Sequence, residues 1–184
     1  KQTGKLLWKS STTADVAYAP LVIYEKDGER QLIFWHGEGI SSLNPETGNP
    51  FWTVKFPEEP NPSVVSIATP RLIGNQLLIS EFYKGSLLLE VESNPPKARE
   101  IWRSQRTDPR NKETLNSVMT TPMIKNGHAF GIANNARGQG IFRCIELATG
   151  KLKWTKENWL ADRPLAFATA FIVENEDRYL LFAD

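Results

Sequence analysis

The chain has 184 residues, 40% of them apolar and 23% charged, with a formal net charge of +1; that is one domain or part of one, with no field to gather nucleic acid or an anionic membrane. No apolar run approaches the ~20 residues of a spanning helix, and the first residues lack the apolar stretch of a secretory signal. Cys144 is the lone cysteine, which excludes an intrachain disulfide, and with only His36 and His128 beside it falls short of the about four ligands of a structural zinc site.

The chain opens on Thr3-Gly4-Lys5-Leu6-Leu7-Trp8, a turn followed by a short closing strand. Tyr18-Ala19-Pro20 then introduces an apolar run, Leu21-Val22-Ile23. A turn over 25–29, centred on Asp27-Gly28, leads to the β-rich run Gln31-Leu32-Ile33-Phe34-Trp35. Gly37 and Gly39 turn the chain into Ile40-Ser41-Ser42-Leu43, and Thr47-Gly48-Asn49-Pro50-Phe51-Trp52 closes the unit. The same order follows from Ala68-Thr69-Pro70, through turns at Gly74-Asn75 and Lys84-Gly85, to Ala98-Arg99-Glu100-Ile101-Trp102. It follows again from Thr121-Pro122, through Asn126-Gly127 and Gly138 to Gly140, to Thr149-Gly150-Lys151-Leu152-Lys153-Trp154. A fourth unit begins with runs at 167–173 and 179–182, where Ala170 takes the proline's place.

From the landmark proline to the tryptophan the distance is 32 residues each time (20 to 52, 70 to 102, 122 to 154). Short β-rich runs separated by Gly, Asn and Asp turns are consecutive antiparallel hairpins. No segment holds an apolar period of 3.6, so little helix is expected; the best candidate is a short turn over 157–162. The Trp-to-Pro connections of 12, 18 and 20 residues carry the length variation, and Pro57, Pro60 and Pro62 stiffen the second. Such loops on a regular framework are where binding specificity resides. The basic stretch from Arg103 to Arg110 is interrupted by Asp108 and reads as a solvated loop rather than a phosphate site.

Four strands per 44 to 52 residues, repeated, predict an all-β partial β-propeller of four-stranded antiparallel blades. The blades fall at about 9–52, 53–102 and 103–154, with 1–8 and 155–184 as parts of incomplete blades. A β-sandwich gives no reason to repeat Thr-Gly-x-x-x-Trp. Such an arrangement is expected of a fragment of a longer propeller, on the order of 350 to 450 residues at ~45 per blade, or of two copies that complete one ring.

At these phrases the chain resembles the quinoprotein-type, or PQQ-like, propeller repeat family, whose pattern is roughly Ala-x-Asp-x-x-Thr-Gly-Lys-x-x-Trp. It stands here at 43–52 and 145–154, with its last part at 3–8; the copy ending in Trp102 departs, with Asn94-Pro95-Pro96-Lys97 in place of the Thr-Gly turn. The resemblance implies that the tryptophan docks between adjacent blades, its ring nitrogen on a neighbouring backbone carbonyl. Trp8, Trp52, Trp102 and Trp154, with Gly4, Gly48 and Gly150, are thus expected to be structural blade-docking residues. A large ring with one donor to satisfy suits that role, and losing one such ring typically costs about 3–5 kcal/mol. Trp35 reads as strand packing; Trp159, in a long connection, is open to a recognition role.

The family includes quinone-dependent alcohol and sugar dehydrogenases, which bind PQQ and calcium near the axis with an Asp as base. Calcium needs six to eight oxygens with several carboxylates, and no acidic cluster maps onto that arrangement. The single cysteine also excludes the adjacent-cysteine disulfide of the alcohol-oxidising members. His36, His128, Asp15, Asp108 and Glu113 read as strand or loop residues; Arg137 with Asn134-Asn135 forms a polar group explained equally by a turn. Many members bind no quinone and serve as scaffolds, the lipoprotein of the outer-membrane β-barrel assembly machine among them. The expectation is therefore a non-catalytic binding or scaffolding propeller, periplasmic or extracellular, from a bacterium. No catalytic, cofactor-binding or metal-binding residue is assigned, and no cofactor is expected in this segment. Its expected partner is the remainder of the propeller, a second copy or another protein, without nucleic acid or membrane insertion. The alternative is a segment of a PQQ-dependent alcohol or sugar dehydrogenase, with PQQ and calcium.

Overall fold

A computed structural model of the chain describes residues 3–10, 17–56, 66–104, 114–117, 119–134, 140–157, 170–175 and 178–183. Among them are fourteen strands and no helix. Three four-stranded antiparallel sheets follow one another, each a meander in chain order. The first holds β1 (Val22–Lys26), β2 (Glu29–His36), β3 (Gly39–Leu43) and β4 (Pro50–Lys55). The second holds β5 (Arg71–Ile73), β6 (Gln76–Glu81), β7 (Gly85–Ser93) and β8 (Pro96–Arg103). The third holds β9 (Met123–Lys125), β10 (His128–Asn134), β11 (Gly140–Glu146) and β12 (Leu152–Lys156), and β13 (Ala170–Asn175) pairs with β14 (Arg178–Ala183). The chain is an all-β partial propeller of four-stranded blades.

Turn chemistry sets the hairpins. Asp27 (φ 53°) and Gly28 (φ 78°) are both left-handed, as are Asn126 (φ 48°) and Gly127 (φ 72°), the two-residue turn whose twist matches that of paired strands. The turn expected over 25–29 is for this reason shorter. Glu25 and Lys26 belong to β1, opposite Arg30 and Glu29. Where the second sheet lacks the Thr-Gly turn, Asn94 and Pro95 alone connect the strands and Ser93 pairs with Pro96. β7 and β8 consequently reach 9 and 8 residues, against 5 and 6 for β3 and β4.

In every four-stranded sheet the pairing of the third and fourth strands slips at the same place. Ser42 faces Trp52 but Leu43 faces Pro50; Leu88 faces Trp102 but Leu89 faces Glu100; Cys144 faces Trp154 but Ile145 faces Leu152. The extra residue is Phe51, Ile101 or Lys153, immediately before the tryptophan. A bulge there breaks the two-residue alternation and re-aims the side chain that follows. Through the register Trp52 shares a face with Ile33 and Ser42, and Trp102 with Leu78 and Leu88.

The sheets pack face to face. Ile33, Trp35 and Ile40 of the first form one core with Leu77, Ile79, Leu87, Leu89 and Val91 of the second. Leu78 and Leu88, on the opposite face of that second sheet, form another core with Ala129, Ile145 and Leu147 of the third, closed by Leu115. The unbroken apolar runs Leu77-Leu78-Ile79 and Leu87-Leu88-Leu89 belong to a sheet buried on both faces. At about 25 cal/mol per Å² of buried apolar surface, this stacking is the main gain of the architecture. Several sequence expectations fall outside the described residues: the helical turn over 157–162 beyond Glu157, the prolines 57, 60 and 62, the part of the basic stretch from Gln105 to Arg110, and Asp15, Glu113, Asn135, Arg137 and Trp159.

Candidate functional site

The sheets meet at joints built from a tryptophan and a turn. Between Leu43 and Pro50 the chain is held by Asn44, whose side-chain oxygen accepts from the amides of Glu46 (2.8 Å) and Thr47 (3.0 Å). The Gly48 amide donates to Asn44 O (2.8 Å) with Gly48 at φ 73°. The third sheet repeats this geometry: Gly150 donates to Glu146 O (2.9 Å) at φ 71°, and Thr149 Oγ1 donates to the Glu146 carboxylate (2.6 Å). Each turn offers a bare glycine and, three residues earlier, a carbonyl that can accept.

Tryptophans occupy both features. Trp8 Nε1 donates to Pro45 O (3.0 Å), and Trp102 Nε1 donates to Leu147 O (2.8 Å). The three nearest ring atoms of Trp8 lie within 2.9 Å of the point a Cβ on Gly48 would occupy, and those of Trp102 equally over Gly150. Each glycine is therefore required twice, by its left-handed backbone and by the ring. Trp102 crosses from the second sheet to the third.

The joint between the first and second sheets is different. No Thr-Gly turn stands opposite Trp52, and its Nε1 donates to Gln31 Oε1 (3.0 Å). Gln31, fully buried, also accepts from Ser42 Oγ (2.7 Å) and donates from Nε2 to Glu92 O of the second sheet (2.7 Å). Tyr24 Oη donates across the same joint to Val91 O (3.2 Å). A buried glutamine thus relays the ring nitrogen to the next sheet, and sequence reading missed it. The available signal was the missing Thr-Gly turn itself, which leaves a buried indole donor that something must accept.

The remaining two residues stand apart. Trp154 covers none of the three Thr-Gly glycines. It is 43% exposed and packs edge-on against Phe142 (centroids 5.1 Å) and tilted against Phe130 (6.1 Å). Gly4 (φ 65°) has none of the described residues within 4 Å of where a Cβ would be, and Leu6 and Leu7 are 73% and 83% exposed. Trp35 is fully buried, and its Nε1 has no hydrogen-bond partner among the described residues.

The ionisable residues serve local structure. His36 is buried; its Nδ1 accepts from the Glu38 amide (3.3 Å), which leaves Nε2–H to donate to Ser41 Oγ (3.0 Å), itself bonded to Thr53 Oγ1 (2.9 Å). Burial holds its pKa below the ordinary value, which favours this neutral form. His128 Nδ1 donates to Asn126 O (2.8 Å), and burial pushes the Cys144 thiol up. Burial also pushes Glu81 up to about 7, against the lowering effect of the Lys84 and Tyr83 amides. Among the described residues no three His, Cys, Asp or Glu side chains converge as metal ligands.

A family model described as outer membrane protein assembly factor BamB matches residues 1–183. Over 160 residues the chain is 25% identical to the outer membrane protein assembly factor BamB of Bordetella pertussis strain Tohama I, covering 84% of this chain and 38% of that protein. It is similar in structure to the quinohemoprotein alcohol dehydrogenase ADHIIG of Pseudomonas putida HK5 (TM-score 0.57, 12% identity, 83% of this chain and 22% of that one). It is similar also to a europium-containing methanol dehydrogenase (TM-score 0.51, 12% identity, 78% and 26%). At such identities the structural likeness concerns the fold alone. The chain spans well under half the length of each of these proteins.

Two outcomes follow from the joints and the buried carboxyl. Gly48→Ala should lose more stability in urea than Gly74→Ala, which is left-handed but open, by about 1–3 kcal/mol from overpacking against Trp8. Equal losses would remove the ring as the cause. Glu81, with its folded pKa of about 7 above the ordinary 4.5, binds its proton more tightly in the folded state. Its contribution is complete below the ordinary range and falls by about 3 kcal/mol as pH rises to about 7. Glu81→Gln should flatten the wild-type decline in urea-melt stability between about pH 4.5 and 7; an unchanged decline would assign it to other groups.

Proposed function

We propose a function from one premise: the chain belongs to the PQQ-like propeller family whose model is described as outer membrane protein assembly factor BamB. It serves as a non-catalytic scaffold that binds other proteins, in the periplasmic or extracellular space of a bacterium. The observation that carries this reading is the way the polar side chains are used. His36, Asn44 and Thr149 are committed to strands and turns within their own sheets, and Gln31 with the ring nitrogens of Trp8, Trp52 and Trp102 to the joints between elements. Stiffly joined sheets keep their connecting loops at fixed spacing, which is what a multi-site docking platform requires.

The partner of first resort is further propeller. Trp154, with Phe130 and Phe142, is half of a joint that a Thr-Gly turn completes, and the open Gly4 turn is the other half. Further blades of a longer chain, or a second copy, would supply both.

The second reading, a segment of a PQQ-dependent alcohol or sugar dehydrogenase, is supported by fold likeness alone. Its calcium calls for several carboxylate oxygens. The described residues bring no such group together and do not fit it. The protein should take up no PQQ when titrated with quinone and calcium, and should drive no dye-coupled oxidation of alcohols or sugars. A photocrosslinker on the β9–β10 turn should trap an outer-membrane protein or a component of its assembly in cells. Calcium-dependent quinone uptake with dye reduction would replace the scaffold by the dehydrogenase.

A further inference from the structure

The joint between the second and third sheets contains a fully buried arginine, Arg143 on β11. Its guanidinium is oriented from one side only: Nη1 donates to Thr114 O (2.7 Å) and to Asn116 Oδ1 (3.0 Å). The segment 114–117 that supplies these acceptors is itself pinned to the second sheet. Asn116 Nδ2 donates to Phe82 O (2.7 Å), the Ser117 amide donates to Ser80 Oγ (2.9 Å), and Thr114 Oγ1 bonds Ser104 Oγ (2.9 Å). The arginine head is therefore held rigidly.

Its other two nitrogens, Nε and Nη2, are buried and have no hydrogen-bond partner among the described residues. Those two N–H groups form the side-on fork of a guanidinium, the pair that grips two oxygens of one carboxylate or phosphate. Two further orphans belong to the same cross-strand row. Thr155 is the direct cross-strand partner of Arg143, so the two side chains share a face, and Thr155 Oγ1 is buried without a partner among the described residues. Gly131 is the cross-strand partner on the other side, and Ser117 Oγ, also without a partner among the described residues, occupies the space its missing side chain leaves. Four unpaired polar atoms thus gather along one row, Gly131–Arg143–Thr155.

The same row in the other sheets is closed. In the first sheet it runs Phe34–Ser41–Thr53, where Ser41 Oγ bonds both Thr53 Oγ1 (2.9 Å) and His36 Nε2 (3.0 Å). In the second it ends at Arg103, whose guanidinium is held by Glu100 (Nε to Oε2, 2.8 Å). Only the third sheet's row leaves both a cation and its neighbouring hydroxyl unsatisfied among these three. The Glu157 charge favours the cation electrostatically, yet the fork nitrogens bond to none of the described residues. A buried guanidinium with three of its about five N–H donors idle is costly, and water would satisfy the donors without balancing the charge.

We propose that this joint is a binding site for one small oxyanion, a carboxylate or a phosphate, held by the Arg143 fork with the Thr155 and Ser117 hydroxyls beside it. The anion closes the row from within, so its binding stiffens the contact between the second and third sheets. The site is independent of the scaffold reading.

The test measures thermal unfolding and calorimetric binding of the full chain in sodium formate and in sodium phosphate, each against chloride at matched ionic strength. At least one oxyanion should raise the Tm saturably and bind with a stoichiometry of about one. Formate alone marks a carboxylate site, phosphate alone a phosphate site, and both mark the shared chemistry. Arg143→Lys keeps the charge but lacks the fork, and should weaken binding at least about tenfold. Thr155→Val, nearly isosteric, should weaken it several-fold without lowering the anion-free Tm. No saturable rise with either anion, or undiminished binding in Arg143→Lys, overturns the proposal. If Arg143→Lys does not fold, unchanged affinity in Thr155→Val overturns it equally.

Discussion

A tryptophan ring lying on a glycine that must keep a left-handed backbone is the contact on which the arrangement turns. At Trp102 and Gly150 it unites three demands in one place. The turn needs a residue at φ 71°, the ring needs a surface without a Cβ, and the indole nitrogen needs the Leu147 carbonyl. Satisfying all three sets the distance and tilt between the second sheet and the third. The apolar residues behind the joint, Leu78, Leu88, Ala129 and Ile145, then meet at packing distance. Without the joint, two flat apolar faces could slide over one another at little cost, since hydrophobic burial has no direction.

The joint tolerates rewiring as long as its polar groups stay satisfied. Between the first and second sheets the glycine turn is replaced by Asn94-Pro95, and Gln31 takes over the acceptor's task while reaching Glu92 O of the next sheet. Two chemistries therefore solve one problem, a buried indole donor at the edge of a sheet. The tryptophan stays because the bulge before it is retained in all three sheets, and that bulge is what turns the ring toward the neighbour.

The repeat architecture was legible because a stacked sheet imposes its period on the chain. Thr-Gly turns, hairpin glycines and the 32-residue step from proline to tryptophan are local requirements written at fixed offsets. Other features carry no such signature. The bulge residue is Phe51, Ile101 or Lys153, an aromatic, an aliphatic and a charged side chain, because the bulge is a backbone feature that fixes no residue type. Gln31 opens its run as Gln76 and His128 open theirs, so its role across the joint is invisible until the neighbouring sheet is in place. Arg143 lies inside the run Ile141–Ile145 and looks like an exposed position of an alternating strand, yet the segment 114–117 covers it. The turn over 25–29 reads too long in sequence because Glu25 and Lys26 are polar, whereas pairing depends on the turn's φ angles.

If the ring-on-glycine contact sets the sheet spacing, its two halves must be energetically coupled. A double-mutant cycle of Trp102→Leu and Gly150→Ala, read by urea denaturation, measures that coupling directly. The added methyl should be much less damaging once the ring is gone, with an interaction energy of about 0.5–3 kcal/mol. Losses that simply add would contradict the account and leave the glycine as a turn residue with no part in joining the sheets.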